Sequence, residues 1–143
     1  MKPPPGDKAW KILLVDDSPE TMRLIAAELE GKGLEISRAE NADEATRLLV
    51  GKNSRPDLVL LDVIMPGVDG RKLCRFIKSN EMFTGIKVVL CSTMDRQRLQ
   101  KVAAECGADG YIHKEDILGR WVVEQLRQEE RAQAADSESP DQR

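Results

Sequence analysis

The sequence predicts an α/β fold, a parallel sheet doubly wound with helices on both faces, and three observations carry that prediction. Short runs rich in Val, Ile and Leu alternate five times with segments of helical period, which is the pattern of β-α-β crossovers. The strand-like runs are apolar almost throughout, as strands covered on both faces must be. Polar residues gather where those runs stop. At 143 residues the chain suits one domain able to bury a core without disulfides or a structural metal.

The first strand spans residues 11–15 and stops at Asp16-Asp17-Ser18-Pro19. Ser18 is a natural helix cap and Pro19 suits the first helical position; Met22, Ile25, Ala26 and Leu29 share one face until Gly31 and Gly33 end the helix. A weaker strand over 35–39 precedes Asn41-Ala-Asp-Glu44, which has the form of a capping box ahead of Ala45, Leu48 and Leu49. The third strand, 57–61, delivers Asp62 to its carboxyl end, after which Pro66, Gly67 and Gly70 force a tight loop. A helix over 69–78 carries Leu73, Phe76 and Ile77, and the fourth strand, 86–91, ends at Ser92-Thr93. The fourth helix, 95–106, buries Leu99, Val102, Ala103 and Cys106, with Gly107 placed for a left-handed cap. The last strand, 110–113, leads to Lys114 and a helix over 116–128 with Leu118, Val122 and Leu126 inward and Trp121 in the core. These boundaries give an extended leader over 1–9, one domain over 10–130 and a disordered tail over 131–143.

Composition narrows the function classes. The net charge is −3 with Lys and Arg scattered along the chain, so no basic face forms and direct nucleic-acid binding is not expected. The apolar runs are too short to span a bilayer and no secretory segment follows the opening Met-Lys-Pro-Pro-Pro, so a soluble, cytoplasmic protein without membrane insertion is expected. Cys74, Cys91 and Cys106 are odd in number and widely spaced, which suits reduced core thiols and neither a disulfide framework nor zinc.

In an open parallel sheet, ligands bind outside the carboxyl ends of the strands. There the sequence places Asp16 and Asp17, Asp62, Ser92 and Thr93, and Lys114. Three carboxylates on one rim repel one another unless a cation sits among them, and acids without His or Cys suit a hard ion such as Mg²⁺, with Mn²⁺ as an alternative. Lysine and a hydroxyl add an ammonium and a hydrogen-bond donor for phosphate. Asp62, alone at the end of the central strand, is the candidate nucleophile for an acyl phosphate.

These residues resemble the receiver domains of two-component signalling. The likeness is carried by Asp16-Asp17, by Asp62-Val-Ile-Met65-Pro66-Gly67-Val-Asp69-Gly70, by Ser92-Thr93 and by Tyr111-Ile112-His113-Lys114, in order and spacing over residues 11–130. The resemblance implies a flavodoxin-like sheet of order 2-1-3-4-5 with helices one and five on one face. It implies Asp62 as phosphoacceptor from a histidine kinase or phosphotransfer protein, with Asp17, assisted by Asp16, and the backbone carbonyl of Ile64 as metal ligands beside Asp62. It also implies Ser92 as the switch hydroxyl, Tyr111 as the aromatic that turns inward, and Lys114 as the phosphate-pairing amine. Two departures stand out. Glu115 replaces the proline usual after the lysine, and a cis peptide without proline costs about 2.5–4 kcal/mol. Ile64 and Met94 are apolar where relatives carry polar residues that orient the hydrolytic water, which implies slow self-dephosphorylation.

Singly, each residue has an ordinary explanation. Asp16 and Asp17 suit a helix amino terminus, Ser92 or Thr93 a cap, Asp69-Gly70 a turn, Lys114 the surface, and His113 a structural role. The coincidence at four strand ends favours a phosphorylation switch that is not an enzyme in the ordinary sense and acts on a separate output protein through helix four, strand five and helix five, where Trp121 and Val123 offer anchors. The rivals are a metal-dependent phosphohydrolase, disfavoured because Leu61, Val63 and Ile64 flank Asp62 without a second acid, and a receiver-like binding module that is never phosphorylated, for which Glu115 is the main support.

Overall fold

A computed structural model describes residues 9–65 and 68–137. The elements run β1 (Trp10–Val15), α1 (Pro19–Leu29), β2 (Leu34–Ala39), α2 (Ala42–Val50), β3 (Leu58–Leu61), β4 (Ile64–Met65), β5 (Val68–Asp69), α3 (Gly70–Ser79), a 3₁₀ turn (Glu81–Phe83), β6 (Lys87–Ser92), α4 (Arg96–Cys106), β7 (Gly110–His113), α5 (Lys114–Leu118) and α6 (Arg120–Ser137). Five strands form one parallel sheet in the order β2-β1-β3-β6-β7, the 2-1-3-4-5 arrangement that the resemblance implies.

Alternate residues feed opposite faces of each strand. Leu13, Val15, Val59, Leu61, Val88 and Leu90 pack with Ala45, Leu49, Leu73, Ile77, Leu99 and Val102 of α2, α3 and α4. Ile12 and Leu14 pack on the other face with Met22 and Ile25 of α1 and Ile117 and Leu118 of α5. Both faces are covered, which is why residues 12–15 are apolar without alternation. Ser18 caps α1 by accepting the Thr21 N–H, Asn41 caps α2 by accepting the Glu44 N–H, and Gly107 closes α4 at a φ of 77°.

Several expectations need correction. The final helix is broken at Gly119, so α5 starts at Lys114 itself, capped by the His113 ring, and α6 follows as a separate helix. The break rotates the inward face: Val123 is fully buried, Val122 half-buried, and Trp121 is 73% exposed instead of packing in the core. Helix also continues to Ser137 where a disordered tail over 131–143 is expected, because Ala132, Ala134, Ala135 and Gln133 are strong helix formers and no Gly or Pro lies between Gly119 and Pro140. Residues 138–143, nearly all of the predicted leader, and Pro66-Gly67 lie outside the described residues. The flanks of Pro66-Gly67 pair antiparallel as β4 and β5. The three cysteines are free and buried.

Candidate functional site

The sheet register explains how distant residues meet. Val15, Leu61 and Leu90 lie in one row across β1, β3 and β6, so Asp16, Asp62 and Cys91 form the next row at the carboxyl ends. Ser92 pairs in register with His113 one row further, and Lys114 follows at the start of α5. The ladder persists past the strands, since the Asp16 N–H donates to Ala39 O and the Asp62 N–H to Val15 O. Both carboxylates are thereby held on fixed backbone at the point where strand order reverses between β1 and β3.

Lys114 reaches into this crevice. Its Nζ donates to Asp16 Oδ2 at 2.8 Å and to Asp62 Oδ2 at 3.1 Å. All three residues are about nineteen-twentieths buried (4%, 5% and 5% exposed for Asp16, Asp62 and Lys114). The remaining carboxylate oxygens are also engaged: Asp16 Oδ1 accepts the Ser18 N–H at 3.0 Å and Asp62 Oδ1 accepts the Ile64 N–H at 2.9 Å. Asp16 therefore both forms the turn ahead of α1, by accepting the Ser18 N–H, and meets Lys114 in the crevice. Gly70 admits α3 to this corner. A Cβ there would lie 2.6 Å from the Asp62 carbonyl oxygen and 2.8 Å from Val63 Cα, a clash that backbone atoms cannot relieve.

Asp17 is exposed at the rim, and carboxylate oxygens of Asp16, Asp17 and Asp62 lie within 4.8 Å of one another. One ammonium faces three carboxylates. Burial, opposed by Lys114 and reinforced by Asp16, pushes the Asp62 carboxyl up to about 6. Burial and the adjacent Asp16 likewise raise Asp17. Lys114 is pulled down by burial, but Asp62 and Asp16 outweigh that and hold it protonated above its ordinary range. Excess negative charge, hard oxygen donors and a partly open rim fit a divalent ion of the Mg²⁺ kind.

Ser92 is fully buried at the end of β6, and its Oγ accepts the Met94 N–H at 3.1 Å. Tyr111 on β7 is 43% exposed and turned to the surface. Ile64 is half exposed and Met94 half-buried, so the sequence-predicted apolar pair does flank the two strand ends. His113 keeps a structural part as the cap of α5. No cis peptide occurs among the described residues, and Lys114 enters the site through a helix start directly after β7. The sequence reading missed Arg96, which pairs with Asp116 and Glu115 next to this lysine; no motif marks it, and only the fold brings it there.

The family model for the response regulator receiver domain matches residues 12–120, and the chain belongs to that family. The phosphate regulon transcriptional regulatory protein PhoB of Pseudomonas aeruginosa is 35% identical over 130 residues, covering 90% of this chain and 56% of PhoB. Chemotaxis protein CheY of Halobacterium salinarum is 39% identical over 107 residues, covering 74% of this chain and 85% of CheY. The chain spans just over half of PhoB and 29% of the response regulator PleD of Caulobacter vibrioides, to which it is 33% identical over 84% of its own length. Among solved structures, the BeF3-activated receiver domain of Klebsiella pneumoniae RstA superposes with a TM-score of 0.64 at 35% identity, covering 73% of this chain and 85% of that one. The phosphorylated cyanobacterial phytochrome response regulator RcpA gives 0.65 at 28% identity, over 78% and 90%. Receiver domains are signalling switches of two-component systems, with Mg²⁺ binding and aspartyl phosphorylation as family properties, and the acid cluster of this chain is compatible with both. No helix among the described residues is long and apolar enough to cross a membrane.

Proposed function

We propose that this chain is a cytoplasmic switch that takes a phosphoryl group from the phosphohistidine of a sensor kinase or phosphotransfer protein onto Asp62, and so changes the surface formed by α4, β7 and the helices after it. One observation carries the reading: the Lys114 amine bridges Asp16 and Asp62 at 2.8 and 3.1 Å beside a third carboxylate, where a divalent cation would balance the excess negative charge and, with the ammonium, could hold a phosphoryl group. A carboxylate oxygen of Asp62 attacks phosphorus as the P–N bond breaks; the electron pair leaves with the imidazole nitrogen, which is protonated.

The surrounding residues supply position and charge. Asp17, Asp16, Asp62 and the Ile64 carbonyl would hold Mg²⁺, which when bound neutralises charge between the carboxylates and the phosphoryl oxygens. Lys114 stays an ammonium and offers a phosphoryl oxygen the proton it now gives to Asp62. Ser92 uses Oγ as an acceptor for Met94 N–H, which leaves its O–H to donate to the same group, with Tyr111 turning inward as Ser92 moves. An output partner reads the switch only if it binds the two states unequally. That Lys114 meets Asp62 without a proline after it supports the phosphorylation reading over a receiver-like binding module that is never phosphorylated, for which Glu115 is the main support.

Incubating wild type and Asp62→Ala with Mg²⁺ and acetyl phosphate, then measuring intact mass, tests the reading. One phosphoryl group should add to the wild type only. A wild type that gains no mass, or a variant that gains it equally, overturns the assignment.

A further inference from the structure

The strands β6 and β7 end side by side, and one side chain joins the helices that follow them. Arg96 is the first residue of α4, four positions beyond Ser92. Its guanidinium forms a two-pronged pair with Asp116, Nη1 to Oδ2 at 2.9 Å and Nη2 to Oδ1 at 3.0 Å. The same Nη2 lies 3.6 Å from Glu115 Oε2. Both carboxylates belong to the first turn of α5, whose opening residue is Lys114. Fork-to-fork pairing of this kind fixes orientation as well as distance. It holds a helix of only five residues that ends at Gly119 and has little backbone ladder of its own.

We propose that Arg96 is a positioning residue for Lys114: its grip on Asp116 and Glu115 sets the start of α5 against the start of α4 at the spacing at which the lysine amine meets Asp62. The inference rests on the proposed function, because that amine matters through the phosphoryl group it pairs with. Hydrogen bonding from Arg96 holds the Asp116 carboxyl below its usual range, which agrees with a well-formed pair. The ion pairs of Arg96 are with Asp116 and Glu115, not with the three carboxylates of the acid cluster. Its influence on phosphorylation therefore runs through the lysine.

The Arg96 and Asp116 side chains are 55% and 46% exposed, so the coupling is moderate and open to screening. Arg96→Met and Asp116→Asn should each slow phosphorylation by acetyl phosphate about three- to tenfold at saturating Mg²⁺, with the thermal midpoint unmoved. Arg96→Lys, which keeps the charge but not the fork, should fall between. In about 1 M NaCl, where the screening length shrinks to about 3 Å, wild type should slow toward the variants and the gap should close. Wild-type rates in both variants, or a gap that survives high salt, would each overturn the inference while leaving phosphorylation of Asp62 intact. A wild type that never gains a phosphoryl group removes the function reading and this one with it.

Discussion

Two lysine–carboxylate pairs stand at opposite ends of the sheet, built from the same groups but balanced differently. At the amino ends, Lys78 Nζ meets Asp109 Oδ2 at 2.7 Å and the Ile86 carbonyl at 3.2 Å, while Asp109 also accepts the Val88 N–H. Burial pushes the Asp109 carboxyl up, but the bonds from Lys78 and Val88 outweigh it and hold it below its ordinary value. At the carboxyl ends Lys114 is shared by two carboxylates with a third nearby, and Asp62 is driven upward instead. One ammonium per carboxylate makes a strut. One ammonium for three leaves charge that only a ligand can neutralise, and the deficit marks the site.

The contrast can be broken most forcefully at Lys114. Lys114→Met leaves Asp16 and Asp62 buried without a counter-charge and should cost about 3 kcal/mol in metal-free urea unfolding. Asp62→Asn should act in the opposite direction, stabilising the metal-free chain at pH 7 by up to about 3 kcal/mol, since each pKa unit is worth about 1.4 kcal/mol. The sign follows from proton uptake. With a folded value of about 6 against an ordinary 3.8, the native carboxyl binds its proton first as pH falls, so metal-free stability rises from pH 7 toward 5. Asp62→Asn should abolish that rise, and a wild-type urea midpoint that is flat over the same range would contradict it. Mg²⁺ should counter the trend, binding more weakly as the pH drops through about 6.

At the strut, Asp109→Asn should lose about 1 kcal/mol at neutral pH, and the lost stability should vanish once the pH falls below the depressed native value, the reverse of the behaviour at Asp62. The smallest expected effect concerns the life of the acyl phosphate. With Ile64 and Met94 both apolar, self-dephosphorylation should take minutes or longer, and Ile64→Asn should shorten it severalfold, about 1 kcal/mol in barrier. Decay of radiolabelled protein would decide it, and a half-life of seconds unchanged by the substitution would refute the slow-hydrolysis reading.

Much of this was legible in the residues because burial and chain chemistry write themselves locally. Uninterrupted apolar runs required a sheet covered on both faces, and each run stopped at a polar residue whose position on the rim follows from strand direction alone. Caps at Ser18, Asn41 and Gly107 are satisfied within a few residues and could be read at short range. What escaped depends on contacts distant in sequence or on balances between small terms. The periodicity of Leu118, Val122 and Leu126 suggested one helix, yet Gly119, at a φ of 86°, divides it and sends Trp121 outward. The helix beyond residue 130 is polar, and its alanines favour helix because they lose no side-chain entropy in it, a signal that hydrophobic periodicity does not register. The division of labour between Asp16 and Asp17 was equally hidden. Adjacent residues at a strand end face opposite ways, and only the register showed that Asp16 turns inward to Lys114 while Asp17 stays at the water-facing edge.

Where α3 begins, the peptide of Gly70 rests on that of Asp62 and Val63 with no side chain between them. Ordinary contacts in a protein interior are cushioned by rotamers that can shift before the main chain does. Here that compliance is missing, so a push along α3 is felt directly by the residue that opens the loop. Traffic runs both ways: a shift of the Asp62 main chain bears on α3 without slack, and a residue larger than glycine at this contact would wedge the two backbones apart.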